Sequence, residues 1–132
     1  MYFLDTNICV YFLQGKFDSI KDKLKNINPK AIKIPAIVKA ERLYGAEKSG
    51  KKSQNIQTVV IFLLPFEIID FDDKSSIQYS KLRAKLENKG TPIGPNDYII
   101  ASIVLANNGI LVTHNQKEFK RVKSLKIEDW TR

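Results

Sequence analysis

The sequence predicts an α/β protein, a single domain over residues 1–132 built on a five-stranded parallel sheet with helices on both faces. Three observations lead there. Short apolar runs of strand type alternate with one or two segments of helical periodicity, and right-handed crossovers turn that order into a parallel sheet. No internal repeat, linker or low-complexity tract divides the chain. At 132 residues it is long enough to bury about two thirds of its unfolded surface in one core without staples.

Each element carries its own signal. Tyr2-Phe3-Leu4 is a short buried strand that runs straight into Asp5, Thr6 and Asn7, so that an acid stands at a strand's carboxyl end. Asn7 is expected to cap a helix from Ile8 to Leu13, stopped by Gly15. Ile20, Leu24 and Ile27 recur at helical spacing until Asn28-Pro29, and Ala31 to Ile34 forms a second strand closed by Pro35. The helix from Ala36 to Lys48 sets Ile37, Ala40, Glu41 and Tyr44 on one expected apolar face. A carboxylate in such a stripe is costly to desolvate unless it is paired, bound to metal or placed at a wet cleft. Lys39 and Arg42 are the candidate pairing partners.

Gly50-Lys51-Lys52 turns the chain into a helix through Ile56, Val59, Val60 and Leu63, ended by Pro65. Phe66 to Phe71 is the third strand. Asp72 and Asp73 then open a long helix with Tyr79, Leu82 and Leu86 on its buried face. With Asp70 they resemble an acidic cluster, but acids at a helix start satisfy free N–H groups and favour the dipole, which makes them structural. Gly90 to Asn96 is a stiff loop leading to an apolar helix from Tyr98 to Ala106. Asp97 lies in its first turn, where the helix dipole is expected to keep the carboxylate ionised. Asn107-Asn108-Gly109 turns into the fourth strand, Ile110 to Thr113, followed by His114, Asn115 and Glu118, a basic segment with Lys117, Lys120, Arg121 and Lys123, and a last strand around Leu125 to Ile127.

Composition narrows the function classes. No apolar run approaches the roughly 20 residues of a membrane helix. The chain begins with a strand pattern and not with the basic flank and long apolar segment of a secretory signal, so a cytoplasmic protein is expected. Cys9, as the single cysteine, excludes an internal disulfide. A net charge of +8 suggests a polyanionic partner, nucleic acid being the commonest. Most of the 22 basic residues are Lys, however, and the chain is rich in Ile and Asn, which a biased genome also produces.

Asp5, Glu41, Asp97 and the pair Asn115 and Glu118 all follow strand ends or begin the helices beyond them, and the topology would gather them at one sheet edge. Crowded carboxylates repel, and a hard divalent cation such as Mg²⁺ or Mn²⁺ resolves that repulsion. Such a site suits metal-activated water attacking a phosphodiester. The rival chemistries fit less well. No strand is followed by a glycine-rich phosphate loop. His114, the sole histidine, makes a nucleophile–histidine hydrolase or a histidine zinc site a poor fit. Aspartyl-phosphate chemistry wants a second aspartate where this chain has Asn7.

The segments Phe3 to Asn7, Ile34 to Ile37 with Glu41 to Ala46, Gly90 to Asp97, Val112 to Asn115 with Glu118-Phe119, and Glu128 to Trp130 together resemble the VapC toxins, which are PIN-domain ribonucleases. The resemblance runs the length of the chain in order. It implies a Mg²⁺-dependent endoribonuclease, with Mn²⁺ able to substitute. It further implies the toxin of a type II toxin–antitoxin pair, silenced by a VapB-like antitoxin and homodimeric. By position Asp5, Glu41 and Asp97 match the three family acids. Glu118 matches the fourth acid of some members, while others carry Asp where this chain has Asn115. The loop Gly90 to Pro95 is similar to that of members that cut the anticodon stem-loop of initiator tRNA. In that frame Asp5 and Asp97 hold the metal and Glu41 completes its shell or orients the attacking water. Thr6, Thr113 and Asn115 fix the carboxylates by hydrogen bonding. A non-cleaving PIN-fold module that docks RNA or protein is the alternative, and the intact acids argue against it, since a pure binder gains from losing charges that repel phosphates.

Overall fold

The computed structural model describes residues 1–132. Its first strand, β1 (Tyr2–Leu4), lies in the middle of a five-stranded, wholly parallel sheet. Strand β2 (Ile32–Pro35) pairs with it on one side and β3 (Glu67–Ile69) lies beyond; β4 (Ile110–Val112) and then β5 (Lys126–Glu128) lie on the other. Neighbouring strand residues point to opposite faces, and Phe3 and Leu4, like Leu111 and Val112, are all fully buried. Both faces of the sheet are therefore covered, as a parallel sheet requires.

Seven α-helices fill the crossovers: α1 (Thr6–Leu13), α2 (Asp18–Asn26), α3 (Ala36–Glu47), α4 (Lys52–Leu63), α5 (Asp73–Asn88), α6 (Pro95–Ala106) and α7 (Gln116–Phe119). Helix α6 is the central one, with Tyr98 and the run from Ile100 to Val104 buried. A helix apolar nearly all round belongs inside a domain, and the mean hydropathy of its sequence is high for that reason. Each large side chain placed in this core stabilises the fold by about 1.5–3 kcal/mol relative to exposure.

The expected elements are all present, although β3 occupies only Glu67–Ile69 of the expected Phe66 to Phe71 run, and four further local corrections apply. Asp5, not Asn7, caps α1: its backbone is extended and its Oδ1 accepts the Ile8 N–H at 2.9 Å, which leaves Asn7 inside the first turn. Helix α6 begins at Pro95 rather than Tyr98, because proline's fixed φ suits the first helical position. Ala31 belongs to a 3₁₀ turn (Pro29–Ala31), whose Lys30 N–H is accepted by Asn28, so β2 starts one residue later. The face of α3 is also turned: Val38 and Ala46 are buried whereas Tyr44 is 64% exposed under the Lys48 ammonium. The buried positions, Val38 and Ala46, lie two turns apart with the half-buried Arg42 between them, and the apolar-looking Tyr44 lies outside that row. The acids before α5 are structural as expected, since Asp72 caps that helix by accepting the Ser75 N–H at 2.9 Å.

Gly109 lets β4 approach β1. A Cβ there would overlap the ring of Phe3, which is fully buried and has nowhere to go. Gly109→Ala is therefore expected to destabilise the protein by about 1–3 kcal/mol through overpacking. Denaturant unfolding measures this, and wild-type stability in the variant would contradict the packing described.

Candidate active site

The strand order reverses direction between β1 and β4, and ligands in such sheets bind outside the carboxyl ends at that switch point. Asp5 ends β1 and Thr113 ends β4, and the two are locked side by side because the Asp5 N–H donates to the Val112 carbonyl at 3.1 Å. Helix α3 brings Glu41 to the same edge and α6 brings Asp97. With Thr6, Asn96 and Asn115 these three acids line a cavity of about 170 Å³.

The electrostatics of the cavity are strained. Asp5 is 5% exposed, and burial, reinforced by the charges of Glu41 and Asp129, pushes its carboxyl up to about 6. Hydrogen bonds from Thr113 and the Ile8 N–H oppose the shift without cancelling it. Asp97 is pushed up to about 7, first by burial, then by Glu118, with Asp5 and Glu41 adding their repulsion. The helix dipole was expected to keep Asp97 ionised. Desolvation and three neighbouring acids outweigh it, because a dipole at a helix end is equivalent to only about half a charge.

Glu118 behaves differently. The Asn115 amide donates to its Oε2 at 2.7 Å and the Gly94 N–H to its Oε1 at 2.9 Å, and these bonds hold it below its usual range. Both oxygens are thus engaged, and it is Asn115, not Glu118, that lines the cavity. Glu118 ties α7 to the loop before α6 and stands against Asp97. Gly94 is where that tie passes closest, since a Cβ there would meet the Asp97 carboxylate at 3.2 Å.

Glu41 has no Lys or Arg partner; its Oε1 accepts the Thr6 hydroxyl at 3.2 Å. The pairing with Lys39 or Arg42 is therefore not made. Thr113 is fully buried, and its Oγ1 accepts the Asn115 N–H at 2.9 Å. Two lining residues, Asn7 and Asn96, escaped the sequence reading. The sequence marks Asn7 only as a capping residue, and Asn96 sits beside Asp97 without any periodic signal of its own. Their amides add neutral donors and acceptors to an otherwise anionic wall.

No three of the acids, with histidine and cysteine included, are drawn tightly enough together to clasp a metal ion in the present arrangement. The donor set nevertheless suits a hard cation. It is all oxygen, and two of its carboxyls are held above their ordinary range, first by burial and then by the charge of neighbouring acids, both of which a bound cation would offset.

The PIN domain profile matches residues 2–125. Ribonuclease VapC2 of Rickettsia felis is 48% identical over 131 residues, 98% of each chain. The tRNA(fMet)-specific endonuclease VapC of Salmonella typhimurium is 36% identical over 129 residues, 98% of this chain and 97% of that one. Among solved structures, DNA-bound VapBC from Salmonella typhimurium contains a chain that superposes with a TM-score of 0.93 at 36% identity, covering 98% of this chain and 97% of that one.

The raised carboxyls fix a direction for stability. Asp5 and Asp97 bind protons more tightly folded than unfolded, so in EDTA the fold should gain stability as pH falls from about 7 towards an ordinary carboxylate value near 4. Asp97→Asn removes one repelling charge and should raise the melting temperature in EDTA at pH 8 by roughly 2–5 °C. Thermal melts across pH measure both. A variant that melts clearly below wild type in EDTA would contradict the strain assigned to Asp97.

Proposed function

The chain belongs to the PIN domain family and within it to the VapC ribonucleases, and from that premise we propose that it is a metal-dependent endoribonuclease, the toxin of a toxin–antitoxin pair. The observation that carries this reading is the convergence of Asp5, Glu41 and Asp97, from β1, α3 and α6, on one small cavity at the sheet's switch point. Mg²⁺ is the proposed ion, with Mn²⁺ able to substitute. A VapB-like antitoxin is the proposed partner, a homodimer the proposed assembly, and initiator tRNA, by analogy with the Salmonella typhimurium relative, the proposed target.

Asp5 and Asp97 would hold the ion, and Glu41 would complete the shell or orient the attacking water. When bound, the cation supplies Lewis-acid activation of that water and neutralises charge on the phosphate. The rest is done by the chain. The cap to Ile8 and the bond from Thr113 fix the Asp5 carboxylate, and Thr6 fixes that of Glu41. Asn115 and Asn96 offer amides to a phosphate or a water in the cavity. Glu118 acts as a positioning residue, holding Gly94 and hence the start of α6, on which Asp97 rides.

Purified chain freed of any antitoxin should cut RNA into discrete fragments with Mg²⁺ and not with EDTA. Asp5→Asn and Asp97→Asn should fold and lose at least about 100-fold in activity, since each deletes a ligand charge and almost no volume. Wild-type rates from Asp97→Asn would sink the assignment, and binding of RNA without any cutting would favour a docking module. Glu118→Ala should be milder, raising the Mg²⁺ needed for half-maximal cleavage by about 10- to 100-fold. An unchanged Mg²⁺ requirement in that variant would remove the positioning role.

A further inference from the structure

One residue before the cavity-lining Asn115, His114 joins a second cluster of a different chemistry. His114 lies between Thr113 and Asn115, and packs against two aromatic rings, Tyr11 of α1 at 6.2 Å and Phe17 of the α1–α2 connection at 6.3 Å between centroids. Tyr11 and Phe17 meet edge to face at 5.2 Å. The His114 side chain is 51% exposed and Phe17 is 41% exposed, so the group opens to solvent. It is also held in place. The His114 Nδ1 lies 3.2 Å from Asp129 Oδ2 and 3.1 Å from the Thr131 hydroxyl, and the Lys16 ammonium sits 5.7 Å from the Tyr11 ring centre.

Phe17 is the unusual member. Its φ of +59° is left-handed, a conformation that is a genuine outlier for a bulky side chain and persists only where the surroundings impose it. Its carbonyl opens α2 by accepting the Ile20 N–H at 3.0 Å, a bond that any residue could supply and that leaves the exposed ring unused. A solvent-exposed ring in a costly backbone state, one residue from a cation and packed against His114, has the character of a ligand contact.

We infer that Tyr11, Phe17 and His114 form a stacking platform for an unpaired nucleobase of the RNA, next to the phosphate seated in the acid cavity. The inference rests on the ribonuclease reading above and names what that site recognises. Aromatic and imidazole rings are the groups on which splayed, single-stranded bases stack, and stacking tolerates every base because each has a π-face. Lys16 meets the adjoining backbone phosphate. The acid wall repels a polyanion, so affinity for the strand must come from contacts outside that wall, and His114 carries this cluster one residue along the chain from the lining Asn115. The platform thus selects unpaired segments over duplex.

The test compares binding of a short single-stranded RNA carrying 2-aminopurine with binding of the same sequence paired in a duplex, in EDTA so that nothing is cut. Phe17→Gly suits the left-handed backbone and removes the ring. It should weaken single-strand binding roughly 5- to 100-fold, abolish the 2-aminopurine quenching and leave duplex binding and the melting temperature unlowered. Phe17→Leu keeps apolar bulk without a π-face and should also lose affinity, while Phe17→Trp should retain it. Equal single-strand binding by wild type and Phe17→Gly, or an equal loss on duplex, would overturn the platform. Failure of wild type to cut RNA in Mg²⁺ would instead overturn the ribonuclease reading, and the binding comparison would still decide the platform.

Discussion

Burial of a carboxylate at the end of the central strand is the constraint to which the rest of the site answers. Asp5 cannot retreat, because its N–H is bonded to β4 and its side chain caps α1. The same residue therefore completes the fold and presents charge to the cavity. An acid so placed would be expelled or neutralised unless its field were met, and the shifts of Asp5 and Asp97 record that it is not fully met by the protein's own groups. No cationic side chain is drawn into the cavity; its lining is acids, amides, one hydroxyl and two apolar residues. The chain has 22 basic residues and spends none of them there.

That distribution separates two tasks. In the proposed reading the anionic wall is kept for a small cation, and the positive charge is left on the surface, where a polyanion can be drawn by long-range attraction. Glu118 shows how the wall is kept in register. It accepts two hydrogen bonds, from the Gly94 N–H and from the Asn115 amide, and so joins the start of α7 to the loop from which α6 begins. Pro95 then fixes the first helical position, so the path from loop to Asp97 has little freedom.

Much of this was legible in the sequence. Parallel strands buried on both faces read as apolar runs, and Phe3-Leu4 before Asp5 or Leu111-Val112 before Thr113 left little doubt about which end carried polar groups. The three acids could be gathered by topology alone. What the sequence hid depended on side-chain direction and on competition between neighbours. Asn7 and Asp5 are both good capping residues, and only the backbone geometry shows which one accepts the Ile8 N–H. Tyr44 looked like part of a stripe because it is aromatic, yet the buried row of α3 is set by how Val38 and Ala46 pack. The level of Asp97 could not be foreseen from its helix position, since the balance of dipole, burial and Glu118 exists only once the chain is folded. Nor did any periodicity mark Phe17, whose left-handed backbone is a property of the folded connection.

Direct measurement of metal binding tests the central claim most closely. Titration of Mn²⁺ into the metal-free protein, followed by electron paramagnetic resonance of the free ion, should show saturable binding that Mg²⁺ displaces and that Asp5→Asn removes while that variant stays folded. Saturable binding that is the same in wild type and Asp5→Asn, or no saturable binding at all, would contradict a cavity whose buried carboxylate awaits a divalent cation.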